Sequence, residues 1–172
     1  MTELHELSLV ELAQMLQGDA LGPLEVTRQY LARIAAHADL GAFAEVRADA
    51  ALERARQLSR ATARGPLHGV PHADKDLVAR AGVPTRYGSR SRADHVPSES
   101  DPLAVALDAA GAVNVGKTST SEFGLTGYTE PLAGTPARDP WNPANGAGGS
   151  SGGAAVAVSA GLLPAAVGSD GG

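Results

Sequence analysis

The sequence lacks cysteine altogether, and aromatic residues make up only 3% of its 172 residues. The absence of cysteine excludes disulfides, thiolate metal ligands and a cysteine nucleophile. Acidic residues outnumber basic ones and the net charge is −5. We therefore expect neither a basic surface for a nucleic-acid backbone nor an aromatic platform for single-stranded nucleic acid.

Long hydrophobic runs are also absent. The longest apolar stretch, Ala154–Gly168, is shorter than the roughly 20 residues that a helix needs to cross a bilayer, and it contains Ser159 and Pro164. The first residues, MTELHELSLVELAQML, contain no basic region followed by an apolar run. Five scattered histidines offer no cluster of metal ligands. The sequence predicts a cytoplasmic protein that has no membrane attachment, no metal and no other cofactor.

Helix and strand patterns alternate along the chain, which indicates the α/β class. Ser8 and Glu11 form a capping box that predicts a helix ending at Gly18. A second helix is predicted from Pro23 and a third from Asp49 to about Arg64. A fourth begins at Ser100-Asp101-Pro102 and ends at Gly111. Strands are predicted at 42–46, within 67–77 and at 164–168, and a helix is predicted over 154–160.

The segment GAVNVGKT, residues 111–118, fits the phosphate-loop pattern G-x-x-x-x-G-K-[ST]. A phosphate loop follows a strand and leads into a helix. Here a predicted helix precedes Gly111, and the residues Ala112–Val115 predict a short strand. The segment is therefore interpreted as a helix, a turn and a strand, and nucleotide binding is a distant alternative.

Serine and lysine occur in glycine-rich surroundings in three segments: HGVPHADKD around Lys75, GGSSGG around Ser150, and the terminal GSDGG. This combination suggests a hydrolase in which lysine replaces histidine as the base. A lysine base must be uncharged, and burial lowers its pKa. Lys75 follows apolar residues on a predicted strand, so we expect it to be buried. Its neighbour Asp74 should point to the opposite face, together with His72.

These segments, with GAVNVGKTSTSEF and RDPWNPANGAGGSSGGAAVAVSAG in the same order, resemble the amidase signature family from about Gly41 onward. The resemblance implies a mixed β-sheet flanked by helices and hydrolysis of a small-molecule amide. It implies that Lys75 is the base of a Ser–Ser–Lys relay and that Ser150, after a cis peptide bond, is the bridging serine. The remaining site residues that it implies are three that shape the site, Ser151, Ser169 and Asp170, and two oxyanion donors, Gly171 and Gly172.

In this family the attacking serine follows the bridging serine by about 24 residues in a strained glycine-serine loop, which places it just beyond Gly172. We therefore expect residues 1–172 to be a single incomplete amidase domain, with a helical segment at 1–40 and the start of the signature core at 41–172. By itself the chain should be inactive and poorly soluble. Open alternatives are a glutamine amidase that works with the partner subunits of an amidotransferase, a homodimer, and a truncated non-catalytic product.

Overall fold

One mixed β-sheet forms the centre of this computed structural model, which describes residues 3–62 and 64–170. Within those residues the strands are β1 (Phe43–Val46), β2 (Pro71–Lys75) and β3 (Val113–Thr118). The order across the sheet is β1-β3-β2, with β3 antiparallel to β1 and parallel to β2. The predicted mixed sheet is confirmed. The predicted oxyanion donors Gly171 and Gly172 lie outside the described residues.

Three helices begin where the sequence predicts their first turns. The Ser8 hydroxyl accepts a hydrogen bond from the backbone N–H of Glu11 at 3.3 Å, and the Ser8 N–H donates to the Glu11 carboxylate at 2.8 Å. Pro23 and Pro102 each occupy the first turn of a helix. The α-helices of the described chain are α1 (Leu9–Gln17), α2 (Pro23–Ala36), α3 (Ala48–Leu58), α4 (Pro102–Ala109) and α5 (Gly152–Ser159).

The two faces of the sheet differ in polarity because side chains alternate along each strand. Ala73, Val113 and Val115 lie in the main hydrophobic core, together with buried residues of α2, α3 and α5. His72 and Asn114, which pair across β2 and β3, occupy the alternate positions. The apolar face of the sheet therefore packs against the helices of the main core, while the other face carries the polar side chains of His72 and Asn114.

Two strand predictions need correction. The strand predicted at Ala112–Val115 continues through Gly116 to Thr118, so the segment resembling a phosphate loop is a strand. A Cβ atom on Gly116 would lie 2.0 Å from the carbonyl oxygen of Glu45, so this glycine allows β1 to pair closely rather than ending the strand. The strand predicted at 164–168 is a single parallel bridge between Ala73 and Ala166.

No helix in the described ranges is both long enough and apolar enough to span a bilayer.

Candidate active site

Lys75 is the last residue of β2, and its side chain is fully buried. Its Nζ atom donates hydrogen bonds to the Oγ of Ser150 at 2.7 Å and to the Oγ of Ser169 at 2.8 Å. The two serines lie 75 and 94 positions from the lysine along the chain. The structure thus brings together the amine and two hydroxyls that the sequence assigned to one site.

The stretch that carries Ser169 is held alongside β2. Ala166 bridges to Ala73, and the N–H of Val167 donates to the carbonyl oxygen of Ala73 at 3.0 Å. Because the two segments run parallel, Ser169 arrives beside Lys75 at the end of β2. Ser151 fixes this end: its Oγ donates to the carbonyl oxygen of Ser169 and accepts from the N–H of Ser169, both at 3.1 Å. Ser151 therefore bonds to the loop backbone and not to Lys75.

The Ser150 backbone is fixed by bonds on both sides. The peptide bond between Gly149 and Ser150 is cis. The carbonyl oxygen of Ser150 accepts from the N–H of Ser121 and from the Oγ1 of Thr129, both at 3.3 Å. Thr129 is buried, and its Oγ1 also accepts from the N–H of Gly152 at 3.0 Å. The Thr129 hydroxyl thus joins Ser150 to the first residue of α5.

Two glycines at the start of α5 allow this helix to approach the sheet. A Cβ atom on Gly153 would lie 2.3 Å from the backbone nitrogen of Ser119 and 2.5 Å from the carbonyl oxygen of Ala42. A Cβ atom on Gly152 would lie 2.4 Å from the Oγ1 of Thr129. The N–H of Gly153 uses this proximity to donate to the carbonyl oxygen of Ser119 at 3.1 Å. The glycine-rich sequence is therefore a packing requirement of the loop that presents Ser150.

Burial lowers the pKa of the Lys75 ammonium, and the negative charge of Asp170 opposes this effect. The lowered pKa increases the uncharged fraction of the amine, the form that accepts a proton. Asp74 turns to the other face of β2, as expected. Its Oδ2 accepts from the Nε of Arg80 at 2.8 Å, and its Oδ1 lies 3.9 Å from the Nδ1 of His72.

Sequence reasoning missed two buried charged residues beside the site, Lys117 and Asp76. The Nζ of Lys117 donates to the carbonyl oxygen of Val78, and burial lowers the pKa of Lys117 while the charges of Asp74 and Asp76 raise it. Burial raises the pKa of Asp76, opposed by the hydrogen bond that its carboxylate accepts from the N–H of Arg86 at 3.2 Å. Both residues fix the turn that follows Lys75. Both residues belong to motifs that the sequence shows, Asp76 to HGVPHADKD and Lys117 to GKT, but nothing in those motifs indicates whether a side chain is buried or exposed.

Within the ranges that the structure describes, no group of three or more histidine or acidic residues is arranged to hold a metal ion.

Comparison with known proteins gives consistent results. The family model described as Amidase matches residues 25–172. The chain is 41% identical over 180 residues to a putative amidase of Synechocystis sp., an alignment that covers 100% of this chain and 36% of that protein. It is 43% identical over 172 residues to a glutamyl-tRNA(Gln) amidotransferase subunit of Desulforapulum autotrophicum, covering 98% of this chain and 35% of that protein.

A solved structure described as an amidase superposes with a TM-score of 0.86 at 35% sequence identity, covering 95% of this chain and 38% of the other. The chain therefore belongs to the Amidase family, the group of amide-bond hydrolases that its motifs resemble. It spans about 36% and 35% of the lengths of the two curated relatives named above.

Proposed function

We propose that this chain supplies the base and the bridging serine of an amidase that hydrolyses a carboxylic amide to an acid and ammonia or an amine. The observation that supports this best is the 2.7 Å hydrogen bond between the buried Nζ of Lys75 and the Oγ of Ser150. Family membership supports the hydrolysis of amide bonds as the class of reaction.

In the proposed relay, the attacking serine follows Ser150 by about 24 residues and so lies outside the 172 residues. Its hydroxyl proton passes to the Oγ of Ser150 while Ser150 gives its own proton to the uncharged Nζ of Lys75. The new C–O bond forms as the carbonyl oxygen takes up negative charge. We propose the backbone N–H groups of Gly171 and Gly172 as donors to that oxygen.

Collapse of the tetrahedral intermediate breaks the C–N bond, and the leaving nitrogen takes a proton from Ser150, which Lys75 replaces. This step is needed because an amine anion is a very poor leaving group. Water then attacks the acyl-serine through the same relay and releases the acid. No proton is left over, since the attacking serine regains its proton when the acid departs.

The other site residues support this relay without reacting. The hydroxyl of Ser169 holds Nζ from a second side at 2.8 Å. Ser151 fixes the backbone of Ser169, and Asp170 partly offsets the effect of burial on the pKa of Lys75. We further propose that residues 41–172 begin the signature core of a single amidase domain and that residues 1–40 form its helical entry segment.

Kinetics of the protein at its full natural length test the relay. We expect Lys75→Ala and Ser150→Ala each to lower kcat for amide hydrolysis by about 10²–10⁴-fold, the range for a lost proton-transfer group. Ser159→Ala is the matched serine control, because Ser159 lies at the exposed end of α5 and its hydroxyl donates, among the residues described, to the carbonyl oxygen of Val156 alone. Unchanged turnover in Ser150→Ala would contradict the proposal. The 172-residue chain alone is expected to be inactive.

A second candidate is a glutamine amidase that belongs to an amidotransferase complex. The 43% identity to a glutamyl-tRNA(Gln) amidotransferase subunit favours it. Ammonia release from glutamine that requires added partner subunits would identify this function, whereas partner-independent hydrolysis of simple amides identifies a free-standing amidase or homodimer. The cytoplasmic location remains a prediction, which fractionation of the source cells tests.

A further inference from the structure

A polar cavity of about 310 Å³ is lined by residues that take no part in the proposed relay. Its lining consists of Arg47, Ala50, Arg54, Arg80, Asp108 and Asn114. In the described part of the chain, none of these residues forms a hydrogen bond with the side chain of Lys75 or Ser150, whose partners lie elsewhere. None has a part in the proposed relay, so the cavity requires a separate explanation.

Three buried polar atoms at this cavity lack a hydrogen-bond partner among the described residues. Arg80 is only 8% exposed, and its Nε and Nη1 donate to Asp74 at 2.8 Å and to Asp108 at 2.6 Å. Its Nη2, by contrast, is buried and unpaired, and so are both amide atoms of Asn114. Two of these atoms, Arg80 Nη2 and Asn114 Nδ2, are donors. Buried donors in folded proteins are nearly always paired, so these two indicate a missing acceptor.

The lining residues carry three guanidinium groups and one carboxylate, that of Asp108. Arg80 is paired with both Asp74 and Asp108, so within the described residues Arg54 is the lining guanidinium with no salt bridge to a carboxylate. The Nη2 of Arg54 donates to the backbone carbonyl oxygen of Asp108 at 3.0 Å, which holds its guanidinium at the cavity. Arg47 lies at the same opening, with its Nε 3.9 Å from the Glu45 carboxylate. Guanidinium groups bind carboxylate and phosphate oxygens through charge-assisted hydrogen bonds.

We propose that this cavity binds a small oxyanion, either a carboxylate or a phosphate group. Arg80 Nη2 and Asn114 Nδ2 are the buried donors, and Arg54 and Arg47 supply charge at the opening. The proposal does not depend on the amidase mechanism, because the two sites share no residue.

Isothermal titration of the protein at its full natural length tests this site, with sodium phosphate and sodium acetate as separate probes and sodium chloride holding the ionic strength constant. We expect saturable binding that Arg54→Gln weakens by about tenfold, the loss of one charge-assisted hydrogen bond. Arg56→Gln is the matched control on the same helix, because Arg56 is exposed and pairs with Glu53 outside the cavity. Its affinity should change by less than about twofold.

Binding of phosphate alone, or of acetate as well, would support the site and identify which oxyanion fits. Asn114→Ala provides a second variant in case Arg54→Gln does not fold, since it removes an unpaired amide and should weaken binding without unfolding the protein. Absence of saturable heat with either probe, or equal affinities in Arg54→Gln, Asn114→Ala and Arg56→Gln, would overturn the proposal.

Discussion

Replacing Gly153 by alanine has two physical effects that change the free energy of unfolding in opposite directions. Gly153 lies in the first turn of α5, where helix propensity favours alanine over glycine by about 1 kcal/mol. The added Cβ, however, would lie 2.3–2.6 Å from three backbone atoms of Ser119 and Ala42, against an ordinary contact of 3.4–4 Å. Backbone atoms cannot rotate aside, so either α5 or the segment after β3 must move by about 1 Å.

Overpacking of this kind costs about 1–3 kcal/mol, and contact with three backbone atoms puts it at or above the upper end. After the gain in propensity, we expect the free energy of unfolding to fall by at least about 2 kcal/mol. In a cooperative folding unit of about 150–250 residues, that lowers Tm by about 4 °C or more. Urea unfolding followed by circular dichroism measures the first quantity, and a thermal scan measures the second.

Gly127→Ala is the matched control, since a Cβ on Gly127 meets nothing within 4 Å. Its stability should change by no more than about 0.5 kcal/mol. If Gly153→Ala were instead as stable as the wild type or more stable, the close approach between α5 and the end of β3 would be wrong, and with it the argument for how Ser150 is positioned.

Two further changes test the surroundings of the relay. Thr129→Val removes the hydroxyl that joins the Ser150 carbonyl to the Gly152 N–H, so we expect the free energy of unfolding to fall by about 1–3 kcal/mol in urea titrations. Thr129→Ser keeps the hydroxyl and should recover most of that loss; equal losses would point to packing alone. Lys75→Met tests the lowered pKa of the Lys75 amine. Between that pKa and about 10.4, the unfolded chain binds more protons at this amine than the folded chain does. The free energy of unfolding of the wild type therefore rises with pH in this window. The variant should lack this part of the rise, and parallel stability curves for the two proteins would contradict a buried amine with a lowered pKa.

Local chemistry made part of the fold predictable. The Ser8–Glu11 capping box and the prolines at 23 and 102 define helix starts within one turn, and the structure places the helices there. Gly116 misled the strand assignment, because glycine within a strand has the same appearance in sequence as glycine that ends one. Gly116 is needed because a larger residue would collide with the carbonyl oxygen of Glu45. That oxygen lies on β1, so the residues next to Gly116 in the sequence do not indicate the contact.

The residues of the candidate site likewise divide into those that the sequence predicts and those that only the structure shows. Lys75 and Ser150 could be selected because their motifs are distinctive, and the structure places the Nζ of one 2.7 Å from the Oγ of the other. Thr129 could not be selected, since it lies in a long irregular stretch where neither periodicity nor turn residues indicate a role. Only the folded loop shows that its hydroxyl bonds to both Ser150 and Gly152.

The surroundings of the two buried lysines differ in a way that supports Lys75, and not Lys117, as the proposed base. Both have pKa values lowered by burial, and they lie near each other at the ends of neighbouring strands. Lys117 is surrounded by the carboxylates of Asp74 and Asp76, which favour its charged form. Lys75 bonds instead to two hydroxyls, and the charge that opposes the effect of its burial is that of Asp170. Because hydroxyls can either accept a proton or give one up, the surroundings of Lys75 tolerate both charge states. Alternation along β2 keeps Asp74 on the other face, and so preserves this difference between the two amines.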